Sequence, residues 1–317
     1  LKIVNESLRF FNQQGRRPGS AAIYLEPWHK DIFDLLEIKK NTGAEELRAR
    51  DLFTALWIPD NFMNAVKNND DWYLFCPNDI IKAGIKPLQE SFGDEYESNY
   101  NKAVELGIGK KVKSQEVWNK IIESQIETGV PYLCSKDNAN KKTNHQNIGV
   151  IKQSNLCCEI DLPTKPLTHL FDESGEISLC TLAAINWGKI REPGDFERPC
   201  SLVVRALDEL LDYQDYPVPA AKKSTMSRRP LGVGIVNLAY WLARNDLSYQ
   251  HIDRDGLAKL HEYTEAWSYY LIKASVDLAF EKGQCTLSSE TKYHYGQLPI
   301  DTYKKEVDEL VNPEYKM

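Results

Sequence analysis

Short apolar runs alternate with amphipathic segments along this chain, and the alternation predicts its secondary structure. Runs typical of buried strands occupy 21–25, 52–58, 131–134 and 177–185. Apolar residues recur at helical spacing in a second set of segments: 1–11, 31–39, 59–66, 114–128, 202–211 and 263–282. Short strands that alternate with helices favour an α/β fold with parallel strands. The periodicity does not distinguish an open sheet from a closed barrel.

Turn-forming residues and polar stretches mark where these elements end. Gly and Pro predict a loop over 12–20, and an Asn-rich polar stretch predicts another over 137–153. Ser114 is expected to cap the helix that follows it, and Gly129 is expected to end that helix. A more polar insertion runs from about residue 68 to residue 113.

The composition is that of a globular protein and excludes two classes of partner. The chain has 317 residues, 42% of them hydrophobic, which is enough for one large core or two ordinary ones. Its formal net charge of −7 argues against binding to a nucleic acid polymer, although a nucleotide needs only a few Arg or Lys. No apolar run has the length of a membrane helix, so we expect no membrane partner.

Seven cysteines are scattered along the chain. They are Cys76, Cys134, Cys157, Cys158, Cys180, Cys200 and Cys285. The odd number and the lack of a Cys-x-x-Cys pair do not support a zinc ribbon, and they fit the reduced thiols of a cytoplasmic protein. The six histidines form no pair at helical spacing i and i+4, so we expect no metal site.

One stretch combines an amide, a thiol and a carboxylate: Asn155, Cys157 and Glu159. If it is extended, side chains alternate and these three share one face, within about 7 Å of one another at a strand rise of roughly 3.3 Å. The carboxylate would serve as a general base, and the thiol as a nucleophile or a redox centre. The alternative is a buried strand with two structural cysteines, since free Cys is often buried.

Three further features have both a functional and a structural interpretation. Cys180 is a second redox candidate, or a small apolar residue in a buried strand. Arg16 and Arg17 lie between glycines, where guanidinium groups can contact a base or a phosphate, or simply be solvated. Gly232 and Gly234 resemble part of a dinucleotide fingerprint, but the third glycine is missing, so close backbone packing is the preferred interpretation.

These motifs, taken in order along the chain, resemble the large subunit of class I ribonucleotide reductases. The resemblance covers nearly the whole chain. It rests on GRRPG (15–19), IYLEPWH (23–29), RARDLF (48–53), QSNLC (153–157), ALD (206–208) with LDYQ (211–214), and RR (228–229) with LG (231–232).

The resemblance implies a fold and a set of catalytic roles. The fold would be part of a ten-stranded α/β barrel, with a central finger loop that carries the radical cysteine. Cys157 matches that cysteine, which as a thiyl radical abstracts the ribose 3′ hydrogen. Glu159 matches the base for the 3′-hydroxyl proton, and Asn155 matches the amide that binds substrate hydroxyls. Cys180 matches one of two cysteines that reduce the substrate and end as a disulfide.

The resemblance also implies substrates, effectors and partners. The loop with Arg16, Arg17, Pro18 and Gly19 matches the loop that relays effector identity to the substrate base. Substrates would be ribonucleoside diphosphates, and effectors nucleoside triphosphates. The chain would hold no cofactor itself. A metal-containing small subunit would supply the radical, and thioredoxin or glutaredoxin would supply electrons. A dimer of large subunits is expected.

We further expect 1–317 to form a single segment of the catalytic barrel domain. The family's N-terminal regulatory region, the second reducing cysteine and the C-terminal part of the barrel have no match here, and Tyr295, Tyr303 and Tyr315 are not paired like the family's relay tyrosines. The chain alone should therefore be inactive without complementary large-subunit segments. The alternatives are a non-catalytic nucleotide-binding or regulatory fragment, and a glycyl-radical or cobalamin-dependent reductase with a related barrel.

Overall fold

The computed structural model describes residues 1–301, whose contacts divide into two compact units. The first unit comprises 1–163 and 296–301, and the second comprises 164–295. Two of the tyrosines considered above, Tyr303 and Tyr315, lie outside the described residues. Among the residues described, no helix combines the length and the apolar character needed to cross a membrane.

The first unit is built around a parallel sheet, as the alternation predicted. Its strands are β1 (Ala22–Leu25), β2 (Phe53–Ile58), β3 (Asp71–Leu74), β4 (Lys110–Lys113) and β5 (Tyr132–Ser135). Its helices are α1 (Lys2–Phe10), α2 (Ile32–Glu37), α3 (Asp60–Asn68), α4 (Pro77–Lys82), α5 (Gly93–Glu105), α6 (Ser114–Thr128) and α7 (Lys136–Lys142). Strands β1, β2 and β5 pair in parallel with β2 in the centre, while β3 and β4 form a separate antiparallel pair.

The two faces of the β1–β2–β5 sheet are covered differently. Leu56 and Ile58 point to a core shared with α2, α3 and α6. Side chains two residues apart on a strand share a face, so Trp57 lies on the opposite face with Tyr24 and Cys134. That face is covered by the chain that follows α7, and the Trp57 indole nitrogen donates a hydrogen bond to the Ile151 carbonyl at 3.2 Å.

The polar insertion at 68–113 is an integral part of the first core. Trp72 and Tyr100 are buried and stack with their ring centroids 4.6 Å apart. Strand β4 adds to the polar look of this segment, because it has three exposed lysines and a single half-buried residue, Val112. Strand β3 contributes the buried side of this pair, Trp72 and Leu74.

Two local predictions in this unit are wrong. Residues 136–142 form helix α7 within the stretch predicted as loop, because its polar side chains are buried and hydrogen-bonded rather than solvated. Ser114 does not cap α6. Its hydroxyl is buried and donates instead to the carbonyls of Ala65 and Asp70. Gly129 does end the helix, in the left-handed conformation with φ 77°.

The second unit packs helices around a two-stranded parallel sheet. It contains β6 (Leu182–Asn186), β7 (Gly232–Val236), α8 (Glu197–Tyr213), α9 (Pro219–Arg228), α10 (Leu238–Arg244) and α11 (Arg254–Lys282). Its core is aromatic, with Trp187, Phe196, Trp241 and Tyr263 in mutual edge or tilted contacts.

Close packing at Gly232 is confirmed, because a Cβ there would lie 2.5 Å from Leu182 Cδ2. Gly234 has only ordinary contacts, so the prediction holds at one of the two glycines. The described residues thus confirm an α/β fold with parallel strands. Within 1–301 these strands form open sheets of three, two and two strands, and no closed barrel.

Candidate active site around Cys157

Cys157 lies in a turn rather than in an extended strand. Residues 156–158 form the turn, the Cys158 amide donates to the Asn155 carbonyl at 3.3 Å, and Cys158 has φ 59°. The alternation expected for an extended segment is therefore wrong here. The cause is the Asn155 side chain, whose oxygen accepts from the amides of Glu159 and Ile160 at 3.1 and 3.2 Å and bends the chain back.

The turn nevertheless brings the amide and the carboxylate into direct contact. The Asn155 side-chain nitrogen donates to Glu159 Oε1 at 2.6 Å. The Ser154 hydroxyl donates to the Ile160 carbonyl at 2.9 Å and so ties the two ends of the turn together. Cys157 is exposed at the turn, and Glu159 is also exposed. Asn155, Cys157 and Glu159 converge through a side-chain-built turn and not through strand geometry.

The carboxylate of Glu159 affects the pKa of Cys157. The charge of Glu159 raises the pKa of the Cys157 thiol, with smaller contributions from burial and from a hydrogen bond to the same carboxylate. A nucleophilic cysteine needs the opposite, a neighbouring positive charge that lowers its pKa. A thiol kept in its S–H form beside a carboxylate instead suits the transfer of a hydrogen atom.

Tyr24 of β1 connects this turn to the sheet. Its hydroxyl donates to the Asn155 carbonyl at 2.7 Å and lies 3.1 Å from the Cys158 sulfur. Cys158 is half-buried and points to the sheet, where its sulfur is 3.7 Å from that of Cys134. Sequence spacing alone did not assign Tyr24 or Cys134 to the site, since both precede the turn by many residues and lie on separate strands.

A buried ion pair lies behind the sheet ends. Glu26 follows β1 and Lys136 follows β5, and Lys136 Nζ is 2.8 Å from Glu26 Oε2. The Trp28 indole also donates to Glu26 at 2.7 Å, and Lys136 donates to the Leu88 carbonyl at 2.8 Å. Burial raises the pKa of Glu26 and lowers the pKa of Lys136, so burial outweighs their mutual attraction.

Cys180 belongs to the second unit. It is exposed and lies just before β6, which begins at Leu182, so its predicted place on a strand is wrong, as is the buried alternative. Backbone hydrogen bonds hold the segment: the Ile177 amide donates to Ala220 at 3.2 Å, and the Gly232 amide donates to Thr181 at 3.0 Å. The strand begins later because side-by-side pairing with β7 begins only at Leu182.

The Arg16–Arg17 loop follows α1 in the first unit. Arg16, Arg17 and Pro18 are exposed. Gly19 is required by packing, because a Cβ there would lie 2.7 Å from the Leu8 carbonyl oxygen. Gln13 and Gln14 both have positive φ, 49° and 59°, a backbone conformation in which residues other than glycine are strained.

Comparison with known proteins identifies the family. The sequence profile described as "Ribonucleotide reductase, barrel domain" matches residues 1–316. This chain belongs to the ribonucleotide reductase family. The resemblance seen in its motifs is thereby confirmed over nearly the whole length.

Curated relatives in this family include proteins from bacteria and from eukaryotes. The chain is 41% identical over 318 residues to the ribonucleoside-diphosphate reductase subunit alpha of Buchnera aphidicola, covering 98% of this chain and 41% of that protein. It is 40% identical to the subunit alpha of Haemophilus influenzae, with the same shares of 98% and 41%. The large subunit of Danio rerio is 40% identical, with 98% and 38% covered. The chain thus spans about two fifths of the length of the curated relatives it matches.

Within 1–301, no group of three or more His, Cys, Asp or Glu is arranged to hold a metal ion. The groups that the turn presents are a thiol, a carboxylate and an amide. Among the residues that support these groups, Tyr24 lies within the motif at 23–29, which was its signal in the sequence. The structure places Tyr24 on β1, beside β2.

Proposed function

We propose that this chain carries the radical cysteine of a ribonucleoside-diphosphate reductase large subunit, Cys157. The observation that carries the proposal is the Asn155–Cys157–Glu159 turn in a member of this family, where a carboxylate raises the pKa of the thiol and so favours its S–H form. An S–H bond is weaker than an O–H bond and close in strength to a C–H bond next to oxygen. A thiyl radical at this position can therefore exchange a hydrogen atom with a ribose carbon.

Each group at the turn has one role in the proposed reaction. The Cys157 thiyl radical takes the 3′ hydrogen atom and becomes a thiol. Glu159 takes the proton of the 3′ hydroxyl. The Asn155 amide donates to a substrate hydroxyl. In the free protein Asn155 donates to Glu159 at 2.6 Å, so a bound hydroxyl must enter between them, accepting from the amide and donating to the carboxylate.

Cys180 is proposed to be one of the two thiols that supply electrons to the substrate. The 2′ hydroxyl leaves as water, and two thiols supply the two electrons and end as a disulfide. Cys180 is one of these thiols, and its exposure fits a group that must later be reduced by thioredoxin or glutaredoxin. The Cys157 thiol then returns its hydrogen atom to the 3′ carbon, so that the thiyl radical is regenerated.

The remaining partners follow from the same proposal. Residues 1–317 form a segment of a ten-stranded barrel, with the Cys157 turn at the tip of its finger loop, and complementary large-subunit segments complete it. A metal-containing small subunit supplies the radical, and two large subunits form a dimer. Arg16, Arg17, Pro18 and Gly19 relay the bound nucleoside triphosphate effector to the base of the ribonucleoside diphosphate.

A chimera tests the proposed function. The matching segment of the Haemophilus influenzae subunit alpha is replaced by this chain and combined with the small subunit, a reductant and cytidine diphosphate. We expect deoxycytidine diphosphate from the chimera and none from the chimera with Cys157→Ser. A folded, effector-binding chimera without activity would favour a non-catalytic nucleotide-binding fragment, and product from the Cys157→Ser chimera would exclude Cys157 as the radical cysteine.

A further inference from the structure

Two cysteine sulfurs meet on the sheet face beneath the Cys157 turn. Cys134 lies on β5 and Cys158 lies in the turn, and both are half-buried and reduced. Their sulfur atoms are 3.7 Å apart, which is van der Waals contact. The two residues are 24 positions apart in the sequence, so the fold and not local chain geometry brings them together.

Hydrogen-bond donors can be assigned along a chain of groups that includes this pair. Tyr24 has one hydroxyl proton, and it points to the Asn155 carbonyl. The Tyr24 oxygen must then accept from the Cys158 thiol, at 3.1 Å. The Cys158 sulfur in turn accepts from the Cys134 thiol. The Cys158 sulfur therefore lies between the Tyr24 hydroxyl and the Cys134 sulfur and contacts both.

We propose that Cys134 and Cys158 form a reversible disulfide, a redox site separate from the chemistry at Cys157. The oxidant is a peroxide. The Cys158 sulfur attacks a peroxide oxygen, the O–O bond breaks, one water leaves and Cys158 becomes a sulfenic acid. The Cys134 sulfur then attacks the Cys158 sulfur, the S–O bond breaks, and a second water leaves with the remaining proton. The two thiols lose two electrons and the peroxide gains them.

The geometry requires little movement for this bond. A disulfide has an S–S distance of about 2.0 Å, so the sulfurs must approach by about 1.7 Å from their present contact. Rotation of two short side chains supplies such a shift. The new bond replaces the contact between Cys158 and Tyr24, and it ties the turn to β5 covalently.

The surroundings favour Cys158 as the first sulfur to be oxidised. Burial and the neighbouring Cys158 raise the pKa of Cys134 to about 12, so Cys134 remains a thiol at neutral pH. Cys158 lies in the turn that presents the exposed Cys157. Since thiolates react with peroxides and thiols do not, Cys134 is a poor first nucleophile.

Peptide mapping of the chain after mild oxidation tests the proposal. The native chain is treated with hydrogen peroxide, free thiols are blocked with iodoacetamide, and the chain is cut after Lys, Arg and Glu. These cuts give a peptide 128–136 with Cys134, a peptide 153–159 with Cys157 and Cys158, and a separate peptide 177–189 with Cys180. We expect the first two to be linked, with the loss of two hydrogen atoms from their summed mass, and to separate again with dithiothreitol.

Four variants identify the linked sulfurs. The link should persist in Cys157→Ser and in the matched control Cys76→Ser, and it should vanish in Cys134→Ser and in Cys158→Ser. The urea-unfolded chain should give mixed pairings instead of this one. The proposal is overturned if the native chain yields no link between the two peptides, or if the link is lost in Cys157→Ser and kept in Cys158→Ser.

Discussion

Two cysteine-bearing segments of this chain are held in place by different means. The turn with Cys157 depends on side chains: the Asn155 amide, the Ser154 hydroxyl and the Tyr24 phenol each make a hydrogen bond that shapes or anchors it. The segment with Cys180 has backbone hydrogen bonds from Ile177 and Gly232, and a side-chain contact between the Ser178 and Ser224 hydroxyls at 3.5 Å. Side chains supply most of the hydrogen bonds described for the Cys157 turn, and the backbone supplies the shorter ones described for the Cys180 segment.

Each of the two units nevertheless contains a buried ion pair. In the first unit Lys136 pairs with Glu26, and in the second unit Arg228 pairs with Glu176. The pairs differ in what remains when the cation is lost. Glu176 also contacts Lys165 at 3.0 Å and Lys223 at 3.9 Å. Substitutions of the two cations can therefore compare a buried carboxylate that loses its cation with one that keeps two lysines.

The largest expected effect separates the chemistry of the two cysteines. In the active chimera, Cys157→Ser and Cys180→Ser should both abolish deoxynucleotide formation over many turnovers. Only Cys157→Ser should also abolish cleavage of the 3′ C–H bond, because the alkoxyl radical of serine is much harder to form than a thiyl radical. Release of tritium from 3′-labelled substrate measures this step, and substrate affinity should change little in either variant.

Equal tritium release from both variants would contradict this division of roles. Loss of tritium release in Cys180→Ser alone would reverse it. Cys76→Ser serves as the matched control, since Cys76 is half-buried in the first unit and lies outside the Cys157 turn.

The next effect concerns the buried ion pairs and the stability of each unit. Lys136→Met leaves Glu26 buried without its cation and should lower the free energy of unfolding by about 3–5 kcal/mol. Arg228→Met should cost less, about 1–3 kcal/mol, because Glu176 keeps two lysines. Urea unfolding of the chain measures both.

A double variant sharpens this prediction. Because the cost of Lys136→Met arises from an unpaired buried charge, adding Glu26→Gln should recover part of the lost stability. The exposed pair Lys86–Glu95, at 2.8 Å, is the matched control, and Lys86→Met should change the free energy of unfolding by less than about 0.5 kcal/mol. A cost for Lys136→Met as small as that of the control would show that the pair does not support the sheet.

The sequence predicted those elements whose apolar residues repeat with a clear period, and it predicted none within 68–113, where the structure has β3, α4, α5 and β4. Strands β1, β2 and β5 and helix α6 lie where the pattern indicated. Helix α7 was missed because it has no apolar stripe. Its buried residues are polar and are satisfied by distant partners, as when Asp137 accepts from the Asp60 amide at 2.6 Å. Periodicity cannot detect a helix whose buried face is built from long-range hydrogen bonds.

The candidate site was predicted in its residue types but not in its shape. The motif around Cys157 and the alternation rule both placed Asn155, Cys157 and Glu159 together. Alternation assumes an extended chain, and the Asn155 side chain competes with that conformation by bonding to nearby amides. The contact between Cys134 and Cys158 could not be predicted, because it depends on which side of β2 the fifth strand adds.

A smaller effect tests the electrostatic coupling within the turn. Glu159→Gln removes the charge that raises the pKa of Cys157, so that pKa should fall and more of the thiol should ionise at neutral pH. Alkylation of Cys157 by iodoacetamide, which follows the thiolate fraction, should become severalfold faster. Glu116→Gln, an exposed position on α6, is the matched control, and equal rates in the two variants would contradict the coupling.

The smallest expected effect isolates one side-chain anchor of the turn. Tyr24→Phe removes the hydroxyl that donates to the Asn155 carbonyl and contacts Cys158, while the ring can keep its edge contact with Trp57. One such hydrogen bond contributes about 0.5–1.5 kcal/mol. The loss should be local, because the hydroxyl connects the turn to β1 and takes no part in strand pairing.

Amide hydrogen exchange can distinguish this local loss from a general one. A loss of about 1 kcal/mol corresponds to roughly fivefold faster exchange by local opening. We expect this acceleration at the amides of Cys158, Glu159 and Ile160, which all donate to Asn155. The amides of Ile177 and Gly232 should be unchanged, because backbone hydrogen bonds hold the Cys180 segment. Tyr132→Phe, on the same sheet face, is the matched control. Equal acceleration in both segments would mean that Tyr24 stabilises the fold as a whole, and that the turn is not anchored separately by its side chains.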